Sequence, residues 1–342
     1  MFRLPHLRLH SLLVLLLVVT TRSLRTLTYL RLPSSPLDHL TNLQTLTHLH
    51  QSVGADSSSS SANHIILRPT STRTCNYHYE TYYTYEVYKF LHNLDQIPRN
   101  YIVHPPVENV VTGVQLEALE DLTKVYGTEK SVGTTNTASG LESHVKSVNS
   151  LRSSRSLAPL TYTILPTLNL PPSYQFFDFL PPSPDLPRPK GYDHVVVGGT
   201  WDRMHYGHRR LLTLAVSVVS PRGRLTIGVT APQMVSEKSD SSKIEAYETR
   251  VQNTVDFVSN LARGFKNNLR VVKITDSRGT LVEDSSVDCI VCSSETVGSV
   301  EEVNVERKNK GWKEVEVWVA VRGDEGGMSS SGIRRMEVKE MK

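Results

Sequence analysis

Cysteine is scarce, with three in 342 residues. That is too few for a disulfide framework and points to a reducing compartment. Cys289 and Cys292 share a CxxC spacing, but the run from Val287 to Cys292 reads as a buried strand. Residues three apart in a strand face opposite sides, so packing is expected of them rather than metal or redox chemistry. No GxxxxGK[ST] sequence occurs anywhere, which excludes a P-loop. The apolar run Leu12 to Val19 is too short to cross a bilayer, so no integral membrane span is expected. Acidic residues are missing from the first 37 positions, which carry Arg3, Arg8, Arg22, Arg25 and Arg31. A removable targeting sequence fits this start, its apolar run matching a secretory segment and its Arg, Ser and Thr content an organellar one. The favoured address is an organelle, mitochondrion or plastid. A disordered extension on a cytoplasmic protein is the alternative. The net charge of +4 is only mildly basic, so nucleic acid is not an indicated partner.

What is present divides into five segments. Residues 1–37 form the targeting or disordered extension, and the Thr, Ser, Leu and His of 38–62 read as linker. Residues 63–126 read as a small α/β region. In it, Tyr77 to Leu94 is expected to place tyrosines at alternating strand positions, Tyr101 to Val103 is a short strand, and Gln115 to Tyr126 is helical with Leu116, Leu119 and Leu122 on one face. A Ser-rich and then Pro-rich linker covers 127–190. From Gly191 strands and helices alternate regularly: strands at Val195, Leu225 to Val229, Leu269 to Ile274, Asp288 to Cys292 and Val315 to Val321, with helices at Gly207 to Val219, Ala246 to Leu261, Val300 to Lys308 and after Ser331. Residues 191–342 are therefore expected to form an α/β, Rossmann-like domain on a five-stranded parallel sheet, preceded by the small α/β region and disordered linkers.

The chain is organised around His194 to Leu212, HVVVGGTWDRMHYGHRRLL. A β-branched run leads through two glycines and a threonine into a helix whose start carries two histidines. Free N–H groups and the positive end of the dipole make such a start an anion site. Gly198 and Gly199 let backbone approach a phosphate that a Cβ would block. Thr200 adds a hydroxyl, and Gly207 between His205 and His208 leaves room for a nucleotide. Zinc is the competing ligand for the two histidines, but no third ligand lies nearby in sequence.

In order along the chain come Val196 to His208, Lys238, Ser293-Ser294-Glu295-Thr296, Asn304, Arg307 and Met328-Ser329-Ser330-Ser331. The series resembles the phosphopantetheine adenylyltransferases of eukaryotic and archaeal type, a branch of the T/HxGH nucleotidyltransferases, across Gly191 to Met336. The resemblance implies an enzyme that moves AMP from ATP to 4′-phosphopantetheine, giving dephospho-CoA and pyrophosphate, without a covalent intermediate and with Mg²⁺ accompanying ATP. By resemblance Thr200 orients the attacking phosphate, His208 donates a hydrogen bond to the α-phosphate, and Lys238, or else Lys243, bridges the attacking and attacked groups. ATP contacts are implied for Gly198, Gly199, His205, Gly207, His208, Arg307, Ser329, Ser330, Ser331 and Arg334. Substrate contacts are implied for Thr200, Lys238, Ser294, Glu295, Thr296 and Asn304. Arg250 could reach phosphate or form a surface salt bridge. No resident metal site, no fused dephospho-CoA kinase and no particular oligomeric state are implied. The chain departs from the family at Met328, usually Ile, at Trp201, usually Phe, and at Tyr206, where a small polar residue is common. The loop Asp324 to Gly327 is a candidate lid.

Two alternatives share the HxGH signature. A cytidylyltransferase would carry Arg-Thr-x-Gly-Ile-Ser-Thr, which is absent, and a nicotinamide-mononucleotide adenylyltransferase would lack the Ser-x-Glu-Thr and Asn-x-x-Arg pair present here. From another class, the domain could be a non-catalytic nucleotide-binding scaffold, against which the intact motif set argues.

Overall fold

A computed structural model describes residues 25–31, 36–53, 62–68, 77–94, 101–105, 116–128, 140–165, 191–236, 238, 240–262, 268–320 and 330. Its ten described strands form two five-stranded sheets in which every pairing is parallel. The first contains β1 (Arg25–Arg31), β2 (Asn63–Arg68), β3 (Tyr101–His104), β4 (Leu122–Gly127) and β5 (Thr161–Ile164), in the order β3-β2-β1-β4-β5. Its helices are α1 (Pro36–Val53), α2 (Tyr77–Leu94) and α3 (Leu141–Ser154).

This first sheet corrects five expectations. Arg25–Arg31, assigned to a targeting or disordered extension, is the central strand. Such a strand is buried on both faces, so the want of acidic residues there reflects burial as well as any address. Within the expected linker 38–62, α1 forms because Leu40, Leu43, Leu46 and Leu49 recur every three residues, and Leu46 and Leu49 are fully buried. Tyr77–Leu94 is helical, not extended: Tyr83, Val87, Tyr88 and Leu91 make one buried stripe, and that tertiary burial overrides the strand preference of tyrosine. The expected linker 127–190 contains α3, with Leu141, Val145 and Val148 inward, and the edge strand β5. In addition, the helix expected over Gln115 to Tyr126 is a short turn followed by β4, although Leu116, Leu119 and Leu122 do share one core.

The second sheet follows the expected course. It contains β6 (Tyr192–Gly199), β7 (Val219–Thr230), β8 (Leu269–Ile274), β9 (Cys289–Ser293) and β10 (Glu316–Ala320), in the order β10-β9-β6-β7-β8. The helices α4 (Tyr206–Val218), α5 (Tyr247–Leu261) and α6 (Val297–Asn309) complete a Rossmann-like unit. Cys289 and Cys292 are both buried and unbridged, and they enter different cores on opposite faces of β9. Among the described residues no helix is long and apolar enough to cross a membrane.

Numbered within its own unit, each sheet has the same order, 3-2-1-4-5. The likeness extends to side chains. In the first unit Asn149 brackets Leu160 with two main-chain bonds of 2.7 and 3.0 Å, and Arg152 donates to the carbonyls of Ala158, Glu117, Leu119 and Leu122. In the second, Asn304 brackets Val315 at 2.8 and 3.0 Å, and Arg307 donates to the carbonyls of Lys313, Leu281, Asp284, Ser285 and Val287. Each pair staples the helix after the fourth strand to the start of the fifth. The sheets also share a core: Ala62 and Ile102 of the first unit pack with Val195, Leu212, Val216 and Phe257 of the second.

Buried histidines give the fold an acid limit. His104, paired with His64 at 2.9 Å, and His208 are each pushed down to about 3, His104 by burial and His208 by burial and then Lys238. Their unfolded values lie near about 6.5, so the unfolded chain takes up protons that the native one refuses as pH falls. Stability is therefore full above the unfolded value and declines below it, by up to about 1.4 kcal/mol per pH unit for each histidine. Urea midpoints measured from about pH 8 to pH 5 should fall below about pH 6.5, and a flat profile would refute this account.

Candidate active site

The site lies at the carboxyl end of β6. There β7 pairs on one side and β9 on the other, and the chain's direction across the sheet reverses. Ligands of doubly wound sheets bind at this switch point. The strand ends in Gly198 and Gly199, and the chain turns through Thr200 and Trp201, the latter left-handed at φ 58°. His205 then caps α4, and no side chain caps its first amides. A helix start left open in this way suits an anion.

Gly199 has a packing reason to be glycine beyond the one expected of it. A Cβ there would lie 2.9 Å from Cε2 of the Trp201 indole, whereas one on Gly198 would make an ordinary contact at 3.7 Å with Ile274. The indole is fully buried, donates to the Gly228 carbonyl at 2.9 Å and lies beside the His208 ring, centroids 5.2 Å apart. His205 and His208 stack at 3.8 Å. Burial, His208 and His92 hold His205 well below the ordinary imidazole range. Both rings are thus neutral at neutral pH. The Nδ1 atoms of both have no hydrogen-bond partner among the described residues.

Thr200 is held from two sides. Lys238 Nζ donates to Thr200 Oγ1 at 2.7 Å, and Arg250 donates to the Thr200 carbonyl at 2.7 Å. Lys243 is directed elsewhere, to Asp240 at 3.4 Å. Arg250 is neither a phosphate ligand nor a surface ion pair. It is 1% exposed, and its remaining donors go to the Glu245 carbonyl and to Thr230. It ties the turn after β6 to the end of β7. Asp202, overlooked in the sequence, is fully buried and accepts the Glu245 amide at 3.0 Å. Its carbonyl receives Ser330 Oγ at 2.9 Å, which brings that serine to the same turn. Ser329, Ser331, Arg334 and the loop Asp324 to Gly327 lie outside the described residues. Ser294, Glu295 and Thr296 form a single turn at the end of β9, the neighbour of β6 on the side away from β7, with Ser294 and Glu295 exposed.

Asn304 and Arg307 do not join this group. Their polar atoms are spent on the main chain of the staple, and Arg307 is 0% exposed with carbonyls at all three nitrogens. No group of three His, Cys, Asp or Glu side chains suited to a metal gathers among the described residues.

The family model for cytidylyltransferase-like domains matches residues 196–336, which spans this whole constellation. Phosphopantetheine adenylyltransferase of Methanopyrus kandleri is 36% identical over 143 residues, 41% of this chain and 87% of its own length. That of Methanothermobacter thermautotrophicus is 35% identical over 153 residues, 44% of this chain and 88% of its own. The chain belongs to the phosphopantetheine adenylyltransferase family. It is an enzyme, a nucleotidyltransferase. The phosphopantetheine adenylyltransferase of Saccharomyces cerevisiae is also similar, 33% identical over 151 residues, which is 42% of this chain and 48% of the yeast protein. Within this family setting the Asn-x-x-Arg pair is structural here. Arg307→Lys should cost on the order of 2–4 kcal/mol of stability, because several buried carbonyls lose their donor. The kcat of the folded fraction should stay within about twofold of wild type; a stable variant with a raised KM for the nucleotide would return Arg307 to the site.

Proposed function

We propose that the protein transfers AMP from ATP to 4′-phosphopantetheine, forming dephospho-CoA and pyrophosphate in coenzyme A synthesis. One observation carries the chemistry: the Thr200 hydroxyl, held by Lys238, stands beside an open helix start bearing two neutral imidazoles. The family name of the relatives supplies the substrates.

An oxygen of the phosphopantetheine phosphate attacks the α-phosphorus of ATP in line, and the bond to the bridging oxygen of the leaving pyrophosphate breaks. The attacking phosphate is already ionised at neutral pH, so no general base is required. What must be supplied is alignment of two polyanions and stabilisation of equatorial charge. Thr200 and Lys238 are suited to hold the attacking phosphate, with the lysine ammonium shared between the two groups. His208 is suited to donate from Nε2 to the α-phosphate as a neutral hydrogen-bond donor, since its protonated form is suppressed by burial and by Lys238. The open amides of α4, with His205, suit the outer phosphates. The Lys238 ammonium at Thr200 favours phosphate oxygens over a cation, and no group of three His, Cys, Asp or Glu side chains gathers among the described residues, so Mg²⁺ would enter with the phosphates of ATP and would supply charge neutralisation for the departing pyrophosphate.

Pyrophosphate release from ATP, Mg²⁺ and 4′-phosphopantetheine is the deciding assay. Release only with CTP and a phosphoalcohol would overturn the assignment. His208→Ala should lower kcat by roughly 10²–10³-fold with little change in nucleotide affinity, and undiminished turnover would remove His208 from the mechanism. The two lysines separate in the same assay. Lys238→Ala should cost at least about tenfold in kcat/KM and Lys243→Ala less than about threefold; the reverse ranking would move the bridging role to Lys243.

A further inference from the structure

One face of α4 packs on its own sheet through Leu212, Ala215 and Val216. A second face, where such a helix usually meets water, is covered by the amino-terminal unit. Tyr206, Arg209, Arg210 and Thr213 recur at helical spacing along it. Tyr206 is fully buried in the core of the first unit, its ring 5.9 Å from that of Tyr88 and 6.3 Å, edge-on, from that of His92. Arg209 donates to the Tyr101 carbonyl of edge strand β3 at 2.8 Å. Arg210 lies 3.9 Å over Tyr85, and the Tyr88 and Thr213 hydroxyls meet at 3.4 Å. Tyr206 sits between His205 and Gly207 of the HxGH signature, so the grip begins inside the motif itself.

We propose that the amino-terminal unit is part of the catalytic apparatus, with Tyr206 and His92 as positioning residues that set the start of α4, and with it His205 and His208, from outside the nucleotidyltransferase unit. His92 is 8% exposed, its Nδ1 has no hydrogen-bond partner among the described residues, burial holds it below the ordinary imidazole range, and its ring meets that of Tyr206 next to His205. A displacement of about 1 Å at a reacting geometry can cost 10²-fold in rate, so a grip at the first turn acts on kcat with little effect on ground-state binding. Among its described residues the unit shows no second cradle of its own. The strand β1 runs Arg-Thr-Leu-Thr-Tyr-Leu-Arg, without the two glycines that end its counterpart β6. In it Tyr29 is fully buried and hydrogen-bonded to Glu117, an arrangement hostile to phosphate.

The inference rests on the adenylyltransferase reading, and the full chain tests both separately. Tyr206→Ala and His92→Ala should lower kcat roughly tenfold or more while KM for ATP stays within about threefold. Tyr206→Phe, which keeps the ring, should return kcat to within about threefold of wild type. Val148→Ala, on the far face of the first sheet, controls for lost stability: it should lower Tm and leave kcat unchanged. Independently of turnover, the imidazole nitrogen NMR resonances of His205 should shift in His92→Ala. A kcat in Tyr206→Ala no lower than in Val148→Ala, or unmoved His205 resonances in His92→Ala, would overturn the proposal. Should Tyr206→Ala not fold, His92→Ala decides it. A wild-type protein that releases no pyrophosphate would sink the substrate reading, and the His205 resonances would still judge the positioning.

Discussion

Main-chain carbonyls that leave a sheet into an irregular turn still need donors, and in this protein buried guanidinium groups provide them. Arg152, Arg209, Arg250 and Arg307 are each at least nine-tenths buried, and each spends its donors chiefly on carbonyls. The planar fork of arginine can serve several acceptors at once. An unpaired buried carbonyl costs about as much as a lost hydrogen bond. Two of the four fix joints on which the site depends, Arg250 the turn bearing Thr200 and Arg209 the contact of α4 with β3, while Arg152 and Arg307 fix the approaches to β5 and β10.

These joints explain how a crevice with few charged groups can manage phosphate chemistry. Thr200 is fixed through its carbonyl by Arg250 and through its hydroxyl by Lys238. The imidazoles are fixed by stacking on one another, and that of His208 also by its tilted contact with Trp201. Donors held in place before the substrate arrives need little reorganisation during the reaction, which is where electrostatic catalysis gains most. The buried, neutral histidines supply directed dipoles to the cradle, and Lys238 supplies the positive charge.

The second unit was legible because its signals are local. A β-branched run, a glycine turn and a histidine-bearing helix start sit within His194 to Leu212, and the other strands are short apolar runs between polar loops. The first unit was not. Its central strand mixes Thr, Tyr and Arg, α1 is built from Leu, Thr and His, and α2 carries six tyrosines that favour strands in isolation. Those segments become regular only when stacked on one another, and a single-sequence pattern does not contain that burial. Within the site, Thr200, His205, His208 and Lys238 could be named from spacing and resemblance. The buried duties of Asp202, Arg250 and Arg307 could not, because a guanidinium serving carbonyls and one awaiting phosphate look alike in sequence. Tyr206, the odd letter of the motif, is explained by a partner more than a hundred residues upstream.

The shared strand order and the repeated Asn-Arg staple give the chain an internal control. One unit keeps the staple, the crossovers and the order, but has neither the glycine turn nor the histidine pair. Whatever both units possess is what this architecture needs in order to exist. Whatever only the second possesses is what the chemistry needs. By that comparison an asparagine and arginine three residues apart on the fourth crossover are a mark of folding, and their presence in another sequence is evidence of shape rather than of catalysis.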